Sequence, residues 1–158
     1  MGSTVRRRIK TELVSPRMNT EKITVQAHIK APLTTCWSYW TEPAHITQWN
    51  FASPDWHCPR ATNDLRAGGR YSARMEARDG SVGFDFDATY DEVADQQRLH
   101  YTMDDGRRAD TTFAEANGTT HVAVTFDAET QNPIAMQRDG WQAILDNFKS
   151  YTEKQHRS

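Results

Sequence analysis

Apolar and polar residues alternate through most of this chain, and the alternation gives way to helical spacing in only two regions. Between Glu21 and Lys30, Ile23, Val25, Ala27 and Ile29 fall on one face and Thr24, Gln26, His28 and Lys30 on the other, which predicts a half-buried strand. Ala31-Pro32 then opens a short helix with Leu33, Cys36, Trp37 and Trp40 on one side; Pro43 stops it, and a second short helix runs from Ala44 to Trp49. From Phe51 to Leu65, Pro54 and Pro59 break every period, so this stretch reads as a loop with at most a short edge strand.

After Gly69 the alternation hardly stops. Tyr71, Ala73, Met75 and Ala77 lead to the hairpin signal Asp79-Gly80, and Phe84, Phe86, Ala88 and Tyr90 follow. Leu99, Tyr101 and Met103 precede the turn Asp104-Asp105-Gly106. Thr111 and Phe113 precede Asn117-Gly118, and Val122, Val124, Phe126 and Ala128 close the series. Short connections throughout make this an antiparallel meander, in a sheet of six or seven strands.

The second helical region is the last one. Asn132 suits an N-cap and Pro133 a first helical position, and Ile134, Trp141, Ile144, Leu145, Phe148 and Tyr151 recur on one side of a long helix. A line of smaller volume, Met136, Gly140, Ala143 and Asn147, runs beside that stripe. A glycine inside a helix costs roughly 1 kcal/mol against alanine, so Gly140 implies close approach to a sheet or room for a ligand beside Trp141. The apolar face of the meander needs a cover, and this helix alone is long enough to supply it. The expected fold class is therefore α+β, a six- to seven-stranded antiparallel sheet curled around a long C-terminal helix, with the two short helices plugging one opening.

Composition narrows the function more than the fold. A chain of 158 residues fits one domain with its own core. Nineteen basic against twenty-one acidic residues, without a long block of one sign, argue against nucleic acid as a partner. No apolar run is long enough for a membrane span. Cys36 and Cys58 are expected as free thiols in a cytoplasmic protein. Residues 1–20, with Arg6-Arg7-Arg8 and Lys10, read as an N-terminal leader or disordered arm, and Met18 as an alternative start; the domain proper is expected over 21–155.

Trp37-Ser38-Tyr39-Trp40-Thr41-Glu42-Pro43, then Trp49, then Asp64-Leu65-Arg66-Ala67-Gly68-Gly69-Arg70-Tyr71, resemble the family related to the activator of heat-shock-protein-90 ATPase, within the START-like (SRPBCC) superfamily. Gly83 to Val93 and Gln137-Arg138 through Phe148 fit the same family. The resemblance implies the helix-grip fold and an apolar cavity between sheet and C-terminal helix that holds a small hydrophobic ligand. It extends from Glu21 to about Lys154. It does not by itself choose among a ligand carrier, a polyketide cyclase or aromatase-like enzyme, and a chaperone-related interaction module.

The aromatic residues are too numerous for an ordinary small core, and rings with few polar atoms are what apolar pockets use. Trp49, Phe51, Trp56, Tyr71, Met75, Phe84, Phe86, Tyr101, Met136, Gly140, Trp141 and Ile144 are the expected ligand-binding residues, with Gln137 and Arg138 available for a ligand's polar end. His57 is the candidate acid/base group, in the loaded tetrapeptide Asp55-Trp56-His57-Cys58, and Tyr71 is its alternate. Neighbouring side chains on an extended segment diverge, which argues against a Cys58 and His57 nucleophile pair, and no metal ligands occur at standard spacing. No metal and no cofactor are expected. Asp85, Asp87 and Asp91 opposite Arg74 and Arg78 read as cross-strand charge pairs on a solvated face. The expected partner is a small hydrophobic ligand; a homodimer is left open.

Overall fold

A computed structural model describes residues 21–157. The expected leader or arm over 1–20 lies outside the described residues. The elements are β1 (Lys22–Ile29), α1 (Leu33–Thr41), α2 (Pro43–Trp49), β2 (Trp56–Asn63), β3 (Arg70–Ala77), β4 (Gly83–Ala94), β5 (Arg98–Met103), β6 (Arg108–Ala116), β7 (Thr119–Asp127) and α3 (Ile134–Arg157). The seven strands form one antiparallel sheet in the order β1-β7-β6-β5-β4-β3-β2. This is the α+β helix-grip arrangement, with a curled sheet, two short helices after the first strand and a long C-terminal helix.

Register follows the alternation. Ile23 opposes Phe126 and Val25 opposes Val124 across β1 and β7; Tyr71 opposes Ala88 across β3 and β4, and Tyr90 opposes Tyr101 across β4 and β5. A register slip of one residue would turn each of these apolar pairs to solvent, so the pattern itself holds the pairing. At Asn117-Gly118 both residues have positive φ, +56° and +76°, as the tight β6–β7 turn demands. Gly69 answers a different need: a Cβ there would lie 2.0 Å from the Asp64 carbonyl oxygen.

Three details depart from the sequence reading. The segment expected as mostly loop contains the eight-residue β2. Pro59 is tolerated because β2 is the sheet's outer strand and the ladder shifts register between His57 and Arg60. The last helix begins one residue later than expected. The Pro133 carbonyl accepts the Gln137 N–H at 3.1 Å, and the Asn132 side chain donates to Glu129 at 2.8 Å instead of capping the helix. Arg78, expected in the cross-strand charge pairs, donates instead to the Pro54 carbonyl, whereas Arg74 does reach Glu76 and Asp85.

The core runs along the concave face, where Ile23, Val25, Ile29, Leu99, Val122 and Phe126 meet Cys36, Ile46, Leu145 and Phe148. Helix α3 packs chiefly against β1 and the two short helices. β1 is an edge strand, and α3 satisfies its outward backbone: Gln142 donates to the Gln26 carbonyl, Lys149 to the His28 carbonyl, and Glu153 accepts from the Lys30 N–H at 2.8 Å. The helix is thereby drawn to one side of the sheet. Across β3 to β5 it stands off, and the inward residues Ala73 and Ala88 are too small to fill the gap.

Candidate functional site

That gap is a cavity of about 310 Å³. β3 and β4 supply Tyr71, Met75, Phe84, Phe86 and Tyr90, β5 supplies Tyr101, and β7 supplies Val124. Gln137, Trp141, Ile144 and Leu145 come from α3, and Trp40, Trp49 and Asn50 close the end formed by α1 and α2. Arg107, Glu129 and Asn132, from the β5–β6 turn and the β7–α3 loop, form a polar edge. The volume falls at the low end of the range of small-molecule sites, and the mostly apolar walls with a few convergent polar groups match their usual composition.

Ring packing makes the walls rigid. Trp141 stacks on Phe126 at 3.8 Å between centroids and 11° between planes, which turns it inward and fixes it there. Trp40 stacks on Trp49 at 4.9 Å, and Phe148 meets both edge-on. Asn147 joins α3 to the end of α2 by donating to the Trp49 carbonyl at 2.9 Å. Fixed walls matter because a preformed apolar pocket saves a ligand the cost of ordering it.

Three phenols supply most of the polarity inside. Tyr71 accepts a hydrogen bond from Asn50 Nδ2 at 3.1 Å. Tyr90 donates to Asn63 Oδ1 at 2.8 Å, and Asn63 donates in turn to the Thr41 carbonyl. Tyr101 stacks against Tyr71, its ring 6.0 Å away and nearly parallel, and its hydroxyl has no hydrogen-bond partner among the described residues. Burial pushes the Tyr90 phenol up to about 12 and holds Tyr71 well above the ordinary range; it raises Tyr101 too, with the nearby Arg107 charge acting in the opposite sense. At neutral pH all three are uncharged hydroxyls, suited to donate hydrogen bonds and poor as proton acceptors.

The residues expected at a binding site divide into three groups. Trp49, Tyr71, Met75, Phe84, Phe86, Tyr101, Gln137, Trp141 and Ile144 come together around the cavity. Phe51 and Trp56 line a smaller neighbouring hollow of about 240 Å³ that shares Met75, Phe84 and Ile144 with it. Met136 and Gly140 lie at neither: Met136 is 59% exposed, and a Cβ on Gly140 would meet nothing within 4 Å. The line of small residues on α3 therefore does not face the cavity. Successive helical residues are about 100° apart, so with Trp141 pointing inward Gly140 looks sideways.

His57 is also elsewhere. Its cross-strand partner is Glu76, on the convex face opposite Met75 and Ala77, and His57 Nε2 lies 3.4 Å from Glu76 Oε1. A pocket acid/base role for His57 has no geometry to support it. Gln137 reaches the cavity wall, but its amide is spent on the β7–α3 loop, accepting from the Glu129 N–H and donating to the Glu129 and Asn132 carbonyls. Arg138 is exposed. Trp40, Asn50, Tyr90, Arg107, Val124, Glu129, Asn132 and Leu145 were not foreseen as site residues. Tyr90 and Val124 carried the inward alternation that marks them as core, whereas an arginine directly after a turn reads as solvated.

Among the described residues no group of His, Cys, Asp or Glu is arranged to hold a metal ion, and no helix is long and apolar enough to cross a membrane. Both thiols are free and buried, and burial pushes Cys36 up to about 11.

The family model described as activator of Hsp90 ATPase homolog 1-like protein matches residues 30–153. An AHSA1-like protein from Aeromonas hydrophila, solved in solution, is 47% identical with a TM-score of 0.81, over 85% of this chain and 94% of that one. A solution structure from Cytophaga hutchinsonii is 48% identical with a TM-score of 0.74, over 85% and 93% of the two chains. A crystal structure from Nitrosomonas europaea shares the fold at 18% identity, with a TM-score of 0.75 over 87% and 97%. No curated protein matches.

Proposed function

The chain belongs to the activator of Hsp90 ATPase homolog 1-like family, and from that premise we propose that it binds one small, largely apolar ligand in the cavity between α3 and the concave face of the sheet. The observation that carries this reading is an aromatic-walled cavity of about 310 Å³, held open by Trp141 on Phe126 and by Trp40 on Trp49. Taking about 30 Å³ as the share of one water, it holds roughly ten waters, which matches a ligand of one or two rings and is too small for both chains of a membrane lipid. Carriage is favoured over base catalysis because the cavity's phenols keep their protons at neutral pH, and because Asp85, Asp87 and His57 belong to the outer, convex side.

Native mass spectrometry of freshly purified protein, followed by extraction, tests this directly. One small molecule per chain is expected, and the Ile144→Trp variant, which fills the cavity from the α3 side, should bind an added apolar probe such as 2-naphthylacetamide at least tenfold more weakly than the parent. Equal uptake by the two proteins would remove the cavity as the binding site.

A further inference from the structure

We propose that the ligand is an amphipathic anion, an aromatic or branched apolar body ending in a carboxylate, whose charged end is received by Arg107 and the free hydroxyl of Tyr101. This rests on the cavity being the binding site. Arg107 lines the cavity at its polar edge, with only 24% of its side chain exposed. Its Nε is held from the solvent side by Asp105 at 2.9 Å, while its two terminal nitrogens donate to nothing among the described residues. Those nitrogens are the strongest donors the cavity offers, and a guanidinium presents two parallel N–H groups that match one carboxylate.

The remaining polar groups also favour an acceptor. Tyr101 has an unpaired hydroxyl, and the Tyr71 hydroxyl accepts from Asn50 and so retains its own proton to donate. The carboxylate closest to competing for Arg107 within the cavity edge is Glu129. Its oxygens accept from the Gln131 and Asn132 N–H groups and from Asn132 Nδ2, and these loop bonds hold its carboxyl low, with the Arg107 charge the least of the contributions. Gln137, the natural acceptor on α3, is likewise consumed by that loop. With the Arg107 nitrogens and the Tyr101 and Tyr71 protons available, and the Gln137 amide oxygen engaged, the cavity favours a ligand oxygen, and the buried setting makes a charge-assisted bond to it count for more than it would in water.

The experiment compares two isosteric probes, 2-naphthylacetate and 2-naphthylacetamide, by isothermal titration calorimetry on the full chain at low salt. The parent protein should bind the acid at least tenfold more tightly than the amide. Arg107→Gln should bring that ratio close to one, and Arg107→Lys, which keeps the charge without the planar fork, should restore part of it. The parent comparison stands whether or not the variants fold. An amide that binds as tightly as the acid, or an Arg107→Gln protein that keeps the preference, overturns the anion assignment while leaving the cavity reading intact. Failure of both probes to bind overturns the cavity reading and this inference with it.

Discussion

Replacing Gly140 by alanine should stabilise the protein, which is the opposite of what a glycine held beside a ligand or against a sheet would do. Gly140 is the seventh residue of the 24-residue α3, past the first turn, and it is not among the glycines with positive φ. A Cβ built on it meets no atom within 4 Å, so no steric cost offsets the helix-propensity gain of about 0.8–1.0 kcal/mol. For a chain of this size such a gain corresponds to a rise of roughly 2–4 °C in Tm. Differential scanning calorimetry of parent and Gly140→Ala proteins measures it, with a urea titration as a second probe of the same free energy. Binding of 2-naphthylacetamide should change by less than about twofold, since the new methyl group points away from the cavity. A fall in Tm, or loss of probe binding in a folded variant, would mean that this flank of α3 packs against the sheet or the ligand, and the assigned orientation of the helix would be wrong.

Substituting His57 by glutamine should leave probe binding unaltered and shift stability by no more than about 0.5 kcal/mol, because the side chain lies on the outer face beside Glu76; a clear loss of binding would return His57 to the cavity. Alkaline pH should destabilise the fold through the buried phenols. Since the folded Tyr90 retains its proton up to about 12 while the unfolded residue loses it near 10, the native state binds more protons in that interval and stability falls as pH rises through it. That one group contributes roughly 3 kcal/mol, read as a falling urea midpoint above pH 10, with phenolate absorbance of Tyr71, Tyr90 and Tyr101 appearing only as the protein unfolds. Early, unfolding-independent ionisation of Tyr71, Tyr90 and Tyr101 would contradict their burial. Thiol titration should find Cys36 and Cys58 unreactive in the native protein and both reactive after denaturation, and fast native modification would contradict the packing around them.

Local pattern determined the architecture of this protein. Alternation within each strand between Tyr71 and Ala128 fixed which face turns inward, because a pleated strand sends successive side chains to opposite sides. The length and apolar stripe of α3 fixed what covers that face, and the aromatic excess pointed to rings around a cavity, six of which do meet there, together with the expected Met75, Gln137 and Ile144. Three things were decided by tertiary structure alone. The first is the length of β2: a short edge strand was expected, and Pro59 argues against a full eight-residue one until the register shift that absorbs it is known. The second is the rotation of α3. Sequence gives the angles between its residues but not which one points inward, and the stacking of Trp141 on Phe126 together with the bonds to the β1 edge turned the Gly140 flank aside. The third is the electrostatics of the site. His57 and Arg107 are both polar residues in unremarkable surroundings along the chain, and only the curl of the sheet carries one to the convex face and brings the other to the edge of an apolar cavity, where Asp105 holds its Nε and leaves its two terminal nitrogens to the cavity side.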